Sequence, residues 1–169
     1  PYAGLETRPI KSLSAGDVEE LQRGGGWGLA LAAELNGMPG PAHLLELRDR
    51  IGLSAAQVSA IEAIFTAMQA EAQAAGERFI AAEAAIEAAF REGLLEPAEL
   101  RRLIDNSAAA RAQLRFIHLS RHLETTPLLT EDQIKRYNAL RGYGPADPCA
   151  SVPEGHDPSM WRRHNGCSQ

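Results

Sequence analysis

The chain has 169 residues, 44% hydrophobic but only 5% aromatic, with a formal charge of −5. That length suits one domain with a real core. Lys11 and Lys135 are the only lysines and the arginines are scattered among acids. There is therefore no basic footprint for nucleic acid, and no apolar run approaches the roughly 20 residues that span a bilayer.

Alanine, leucine, glutamate, arginine and glutamine dominate, so helices packed through small residues are expected. The chain starts at Pro1 rather than methionine, which reads as a leader removed or omitted. Residues 1–13 hold Pro9 and no periodic pattern, and are expected to form an extended arm. A short helix follows from Ser14, an N-cap with Asp17 and Glu19 in the first turn, until Gly24-Gly25-Gly26 breaks it. No strand precedes those glycines and no Lys-Ser or Lys-Thr follows, which argues against a phosphate loop. A second short helix is expected over about 28–35, ending at Asn36-Gly37, and Pro41 opens a third.

The longest element is expected from about Ser54 to Glu92. Its seam is Val58, Ile61, Phe65, Met68, Ala72, Ala75, Phe79, Ala82, Ile86 and Ala89. The steps alternate three and four, as in a coiled coil. At 1.5 Å per residue such a helix is roughly 55–60 Å long, so it needs an elongated bundle, a hairpin or a dimer. Gly93 ends it and Pro97 opens the next, about 97–124, with Leu100, Leu103, Ser107, Ala110, Leu114 and Ile117 at the same spacing. The short connection predicts an antiparallel hairpin. A last helix over about 131–141 carries Ile134, Tyr137 and Leu140 on one side. The division is thus an arm with short helices (1–40), a helical domain (41–142) and an irregular tail (143–169). In the tail, one amphipathic turn around Met160 and Trp161 is expected to dock on the body.

Two segments share one form: Leu53-Ser54-Ala55-Ala56-Gln57 and Leu129-Thr130-Glu131-Asp132-Gln133. Each is a capping box. The hydroxyl accepts from first-turn amides, the glutamine reaches back, and the leucine acts as a staple. Two such boxes about 76 positions apart, flanking a long helical pair, resemble the LTxxQ-motif family of periplasmic proteins. That family includes the Spy, CpxP and ZraP chaperones and, distantly, the CnrX-type metal sensors. The resemblance covers roughly residues 41–142, and the first copy has serine in place of threonine, which preserves the cap. It implies a periplasmic location and an all-α fold of long antiparallel hairpin plus shorter flanking helices, often paired as a dimeric cradle. Members bind unfolded clients, bind metal, or restrain a membrane-bound signalling partner.

His118 and His122 stand four apart on one helix face, a spacing that lets two ring nitrogens reach one ion. Imidazole suits a divalent transition metal such as Zn, Cu, Ni or Co. A third ligand would come from His43, with Glu46 one turn away. The metal-sensing relatives place ligands in these same two regions. The alternative is a solvated polar face of Arg121, His122 and Glu124, with His118 capping the seam. Cys149 and Cys167, with His156 and His164, lie in the tail. An oxidising compartment would let the cysteines close a loop, and two free thiols are the alternative.

Signals for catalysis are poor. Glu83 and Glu87 have the spacing of helical carboxylate sites, but no Glu-x-x-His pairing accompanies them. No Gly-x-Ser-x-Gly occurs. An enzyme is not expected. A client surface would be rimmed by Arg111, Arg115, Arg121, Glu124 and Arg136 and floored by Met68, Phe79 and Ile80, although core packing explains that floor better. The reading is a periplasmic envelope-stress protein binding unfolded clients or metal without catalysis. The alternative is a dedicated heavy-metal sensor or resistance protein using His43, Glu46, His118 and His122.

Overall fold

The computed structural model describes residues 2–93, 95–143 and 157–160. Among them the order is α1 (Ala15–Gln22), α2 (Leu31–Glu34), α3 (Pro41–Glu46), α4 (Arg48–Ile51), α5 (Ala55–Glu92) and α6 (Pro97–Thr125). A 3-10 turn (Thr126–Leu128) and α7 (Glu131–Arg141) follow. No strand occurs among the described residues. The protein is all-helical, and no described helix is long and apolar enough to cross a membrane.

Local chemistry sets the helix ends. Ser14, Ser54 and Thr130 are N-caps of α1, α5 and α7, and each closes a complete capping box, with Asp17, Gln57 and Gln133 respectively. Gly52, Gly93 and Gly142 end α4, α5 and α7 in the left-handed conformation. Helix α5 runs unbroken for 38 residues, about 57 Å at 1.5 Å each. The second short helix is shorter than expected, because Gly28 with φ +68° and the turn at Gly26–Leu29 delay its start.

The two long helices pack along one another. Arg121 of α6 binds Glu71 of α5 at 2.6 Å, and Ser107 donates to Glu83. One buried cluster joins Leu21 of α1 and Leu29 to Met68, Ala72, Ala75 and Phe79 of α5 and to Leu114 and Ile117 of α6. Small residues let α1 approach closely. A side chain at Gly76 would meet the Leu21 carbonyl oxygen at 2.5 Å. Gly24, at φ +74°, lies so near the Gln69 carbonyl that a Cβ would stand 2.8 Å from it.

A second cluster holds Leu44, Ile51, Ile61 and Tyr137, with the staple residues Leu53 and Leu129 against it. Above it the two motif glutamines meet. Gln57 Nε2 donates to Gln133 Oε1 at 2.8 Å, and Gln133 Nε2 returns a bond to Gln57 Oε1 at 3.0 Å. The second amide hydrogens reach the carbonyls of Leu128 (2.7 Å) and Gly52 (3.0 Å). The two boxes are one reciprocal clamp.

Two expectations need correction. The arm is not extended: Leu5 and Arg8 amides close successive turns onto Tyr2 and Leu5. Glu87 then holds Lys11 (Nζ 2.7 Å) and Glu83 holds Ser12 (2.5 Å), so this carboxylate pair anchors the arm. Met68 and Phe79 are buried and Ile80 packs half-buried against the same cluster, so core packing, the preferred reading of these three, holds. Residues 158–160 do form one helical turn, capped by Asp157, but Met160 is exposed. Trp161, Cys149, Cys167, His156 and His164 lie outside the described residues.

Candidate functional site

The loop after α1, the loop before α3 and the last turns of α6 enclose a cavity of about 520 Å³. Its walls include Trp27, Leu31, Phe65 and Met68, and its polar groups include Glu20, Glu34, His43, Glu46, His118 and His122. All four residues read from the sequence as metal ligands thus line one cavity. They do not form one ligand set. His43 Nδ1 pairs instead with Glu46 Oε2 at 3.0 Å across one turn of α3, near the exposed rim. Among the described residues no three His, Cys, Asp or Glu side chains group to hold an ion.

The two α6 histidines are a different case. His118 is 3% exposed, and its Nε2 has no hydrogen-bond partner. Burial holds its pKa below the ordinary 6.5, and the neighbouring His122 adds to that. The Gly25 backbone and Glu20 act against it. His122 is buried too, and its Nδ1 stands 2.6 Å from the Met38 carbonyl oxygen. A carbonyl only accepts, so Nδ1 carries a proton and donates it to Met38. Gly40 packs flat on this ring, where a Cβ would fall 2.7 Å from Nε2. The neighbouring Thr125 hydroxyl ties Pro39 O at 2.5 Å, so α6 grips the 36–41 loop twice.

Behind His122 lies Glu34, 6% exposed. Its Oε1 accepts from the Tyr137 hydroxyl and lies 3.5 Å from Arg141 Nε. Its Oε2 has no hydrogen-bond partner and lies 3.8 Å from His122 Nδ1. Burial pushes the Tyr137 hydroxyl pKa far up, and the bond to Glu34 reinforces it, so Tyr137 stays a donor. Buried carboxylates need such partners, because an unpaired charge is costly away from water.

Trp27 completes the wall in an unusual backbone state, φ +43°. Its indole donates to Asp17 at 2.9 Å and its amide to Glu20 at 2.9 Å. The ring leans on Phe79 at 5.6 Å, with Arg111 over its face at 5.7 Å. Strain in a non-glycine residue persists only where surroundings impose it, and it clusters at ligand-facing loops. The bonds to Ser14 and Trp27 lower the Asp17 pKa from 3.8 to about 2.

Sequence reasoning missed Trp27, Glu34 and Gly40. Glu34 left one trace: it is the only charge in the apolar run Leu29–Leu35. The carbonyls of Met38 and Pro39 left none, because backbone acceptors carry no side-chain signature.

A groove of about 430 Å³ runs along the long helices, lined by Glu83, Ile86, Ile104, Ala108, Arg111 and Arg115. Further along α6, Phe116 and Leu123 are 65% and 62% exposed. No family model matches the chain, and neither does any curated protein or solved structure.

Proposed function

We propose that this chain is a periplasmic, LTxxQ-like envelope-stress protein that binds unfolded or envelope proteins without catalysis. In this reading the long helices form an antiparallel hairpin, and two copies pair as a cradle. The observation that carries it is the exposed apolar side chains of α6: Phe116 and Leu123, seven residues apart on one side of the helix, and Ile104 in the groove with Arg111 and Arg115. Exposed large apolar side chains rimmed by charge suit loosely held, partly unfolded chains. The paired capping boxes, joined through Gln57 and Gln133, support the kinship with LTxxQ proteins. The test is light scattering from a heat-aggregating reporter protein. The chain should suppress scattering in proportion to its concentration, and Phe116→Ser with Leu123→Ser should remove the effect at unchanged helicity. Full suppression by the double variant would overturn the reading.

A second reading, a dedicated periplasmic heavy-metal sensor or resistance protein, is favoured by the imidazole pair. His118, whose buried Nε2 has no hydrogen-bond partner, lines the cavity together with His122, and the His122 Nδ1 is held by the Met38 carbonyl. Metal-bound histidines characteristically fix their second nitrogen in this way. Titration with Zn, Cu, Ni and Co should show binding that His118→Ala and His122→Ala abolish. Binding that both variants retain would discard it.

A further inference from the structure

We propose that the groove along the long helices binds a single fatty acid, with its carboxylate at Arg111 and Arg115 and its alkyl tail over Ala108 and Ile104. Phe116 and Leu123, which carry the test of the client reading, do not line this groove. The groove measures about 430 Å³, within the range of small-molecule sites. Ala108 and Ala112 of α6 bring only a methyl group to it, and both are exposed. The half-buried Ile86 of α5 and Ile104 of α6 supply its larger apolar walls. Ile104 is 46% exposed, and a hydrocarbon occupant would take that surface out of water.

The charges set the direction of the ligand. Arg111 and Arg115 stand one turn apart on α6, about 6 Å in rise. The ion pairs among the described residues engage other arginines and leave both of these out. The Arg111 guanidinium lies over the Trp27 ring at 5.7 Å, which positions it without neutralising its charge. Glu83 is the carboxylate of the lining, and it already accepts from the hydroxyls of Ser12 (2.5 Å) and Ser107. The Ser107 bond places Glu83 beside the α6 turn that follows Ile104, one turn short of Arg111. An anionic head is repelled there and drawn to the far end, where a guanidinium can give a carboxylate two parallel hydrogen bonds. The rise from Ile104 to Arg115 is about 16 Å at 1.5 Å per residue. Between Ile104 and Arg111 the α6 lining is Ser107, spent on Glu83, and Ala108. An extended peptide laid there would bring amide and carbonyl groups that find no partner in the wall. An alkyl chain brings none, and that favours a fatty acid over a peptide.

The experiment is calorimetric titration of the full chain with laurate, below its micelle concentration and at neutral pH. One laurate should bind. Arg111→Gln and Arg115→Gln should each weaken binding roughly tenfold or more, the scale of a charge-assisted hydrogen bond. Ala108→Leu puts an isobutyl group into the trough and should abolish binding. Because Ala108 is exposed, its helicity and melting should match the parent. Octanoate, with the same head and a shorter tail, should bind at least roughly tenfold more weakly. Dodecylammonium, with the same tail and the opposite charge, should bind more weakly still. Phe116→Ser with Leu123→Ser should leave laurate affinity unchanged, which separates this site from the client reading. Laurate affinity indifferent to Ala108→Leu or to both arginine variants overturns the site. So does the absence of saturable binding, or dodecylammonium binding as tightly as laurate. Cosedimentation with phosphatidylglycerol vesicles in the absence of laurate binding would make this face a membrane contact and overturn the fatty-acid site too.

Discussion

Gln57 and Gln133 each use both amide hydrogens and both carbonyl lone pairs on protein partners: each other, the two cap backbones, and the carbonyls of Leu128 and Gly52. By contrast, His118 Nε2 on α6 and Glu34 Oε2 on α2 are buried with no hydrogen-bond partner. The first arrangement is complete and has nothing left to offer a ligand. The second is incomplete among residues that line a cavity, and a buried polar atom left without a partner is costly. The contrast assigns structural work to the recognisable motif and chemistry to residues that no motif announces.

The comparison breaks most visibly at the clamp end. Ile61→Ala, in the cluster beneath the glutamines, should cost about 2–5 kcal/mol by denaturant unfolding. Gln57→Ala should cost about 1–3 kcal/mol, because Gln133 and the Leu128 carbonyl lose their partner. In a double-mutant cycle with Gln133→Ala, the pair should cost less than the sum of the single variants. Additive losses would mean that the two boxes are independent caps rather than one clamp.

The cavity end should respond in the opposite sense. His118→Leu removes an unsatisfied atom, so stability at pH 7 should stay within about 1 kcal/mol of the parent. Its pH dependence should change as well. Burial holds the folded His118 pKa below 6.5, so the unfolded chain takes up the proton first. Stability from this group is therefore whole above pH 6.5 and is lost as pH falls from there toward the folded value. Melting curves of His118→Leu across that range should be flatter than those of the parent. A costly His118→Leu at pH 7 would make the histidine a structural residue and erase the contrast.

The smallest effect is expected at Asp17. Its folded pKa is about 2 against 3.8, so its contribution is complete above about pH 4 and is lost as pH falls toward 2. Asp17→Asn should flatten the acid limb of the melting profile there and leave metal binding unchanged. Loss of cavity binding in this variant would instead tie the Trp27 loop to the site.

The sequence was explicit about helices because their signals are local. Ser54 with Gln57 and Thr130 with Gln133 mark starts within four residues, and Gly93 and Gly142 mark ends. The seam from Ile61 to Phe79 also identified the buried side of α5. Part of the candidate site was legible on the same terms, since His118 and His122 share a face at a helical spacing.

Tertiary structure decided the rest. Nothing local told that Gln57 would find Gln133, because that bond joins residues whose own caps were already complete. Nothing local told that Glu34 would be buried beside Tyr137, or that His43 would turn to Glu46 instead of the α6 pair. By itself the sequence determined where helices start, stop and hide a face, since capping and periodicity act within a turn or two. Which buried polar atoms are paired, and which are left without a partner, depends on contacts between distant segments, and only the packed chain establishes those.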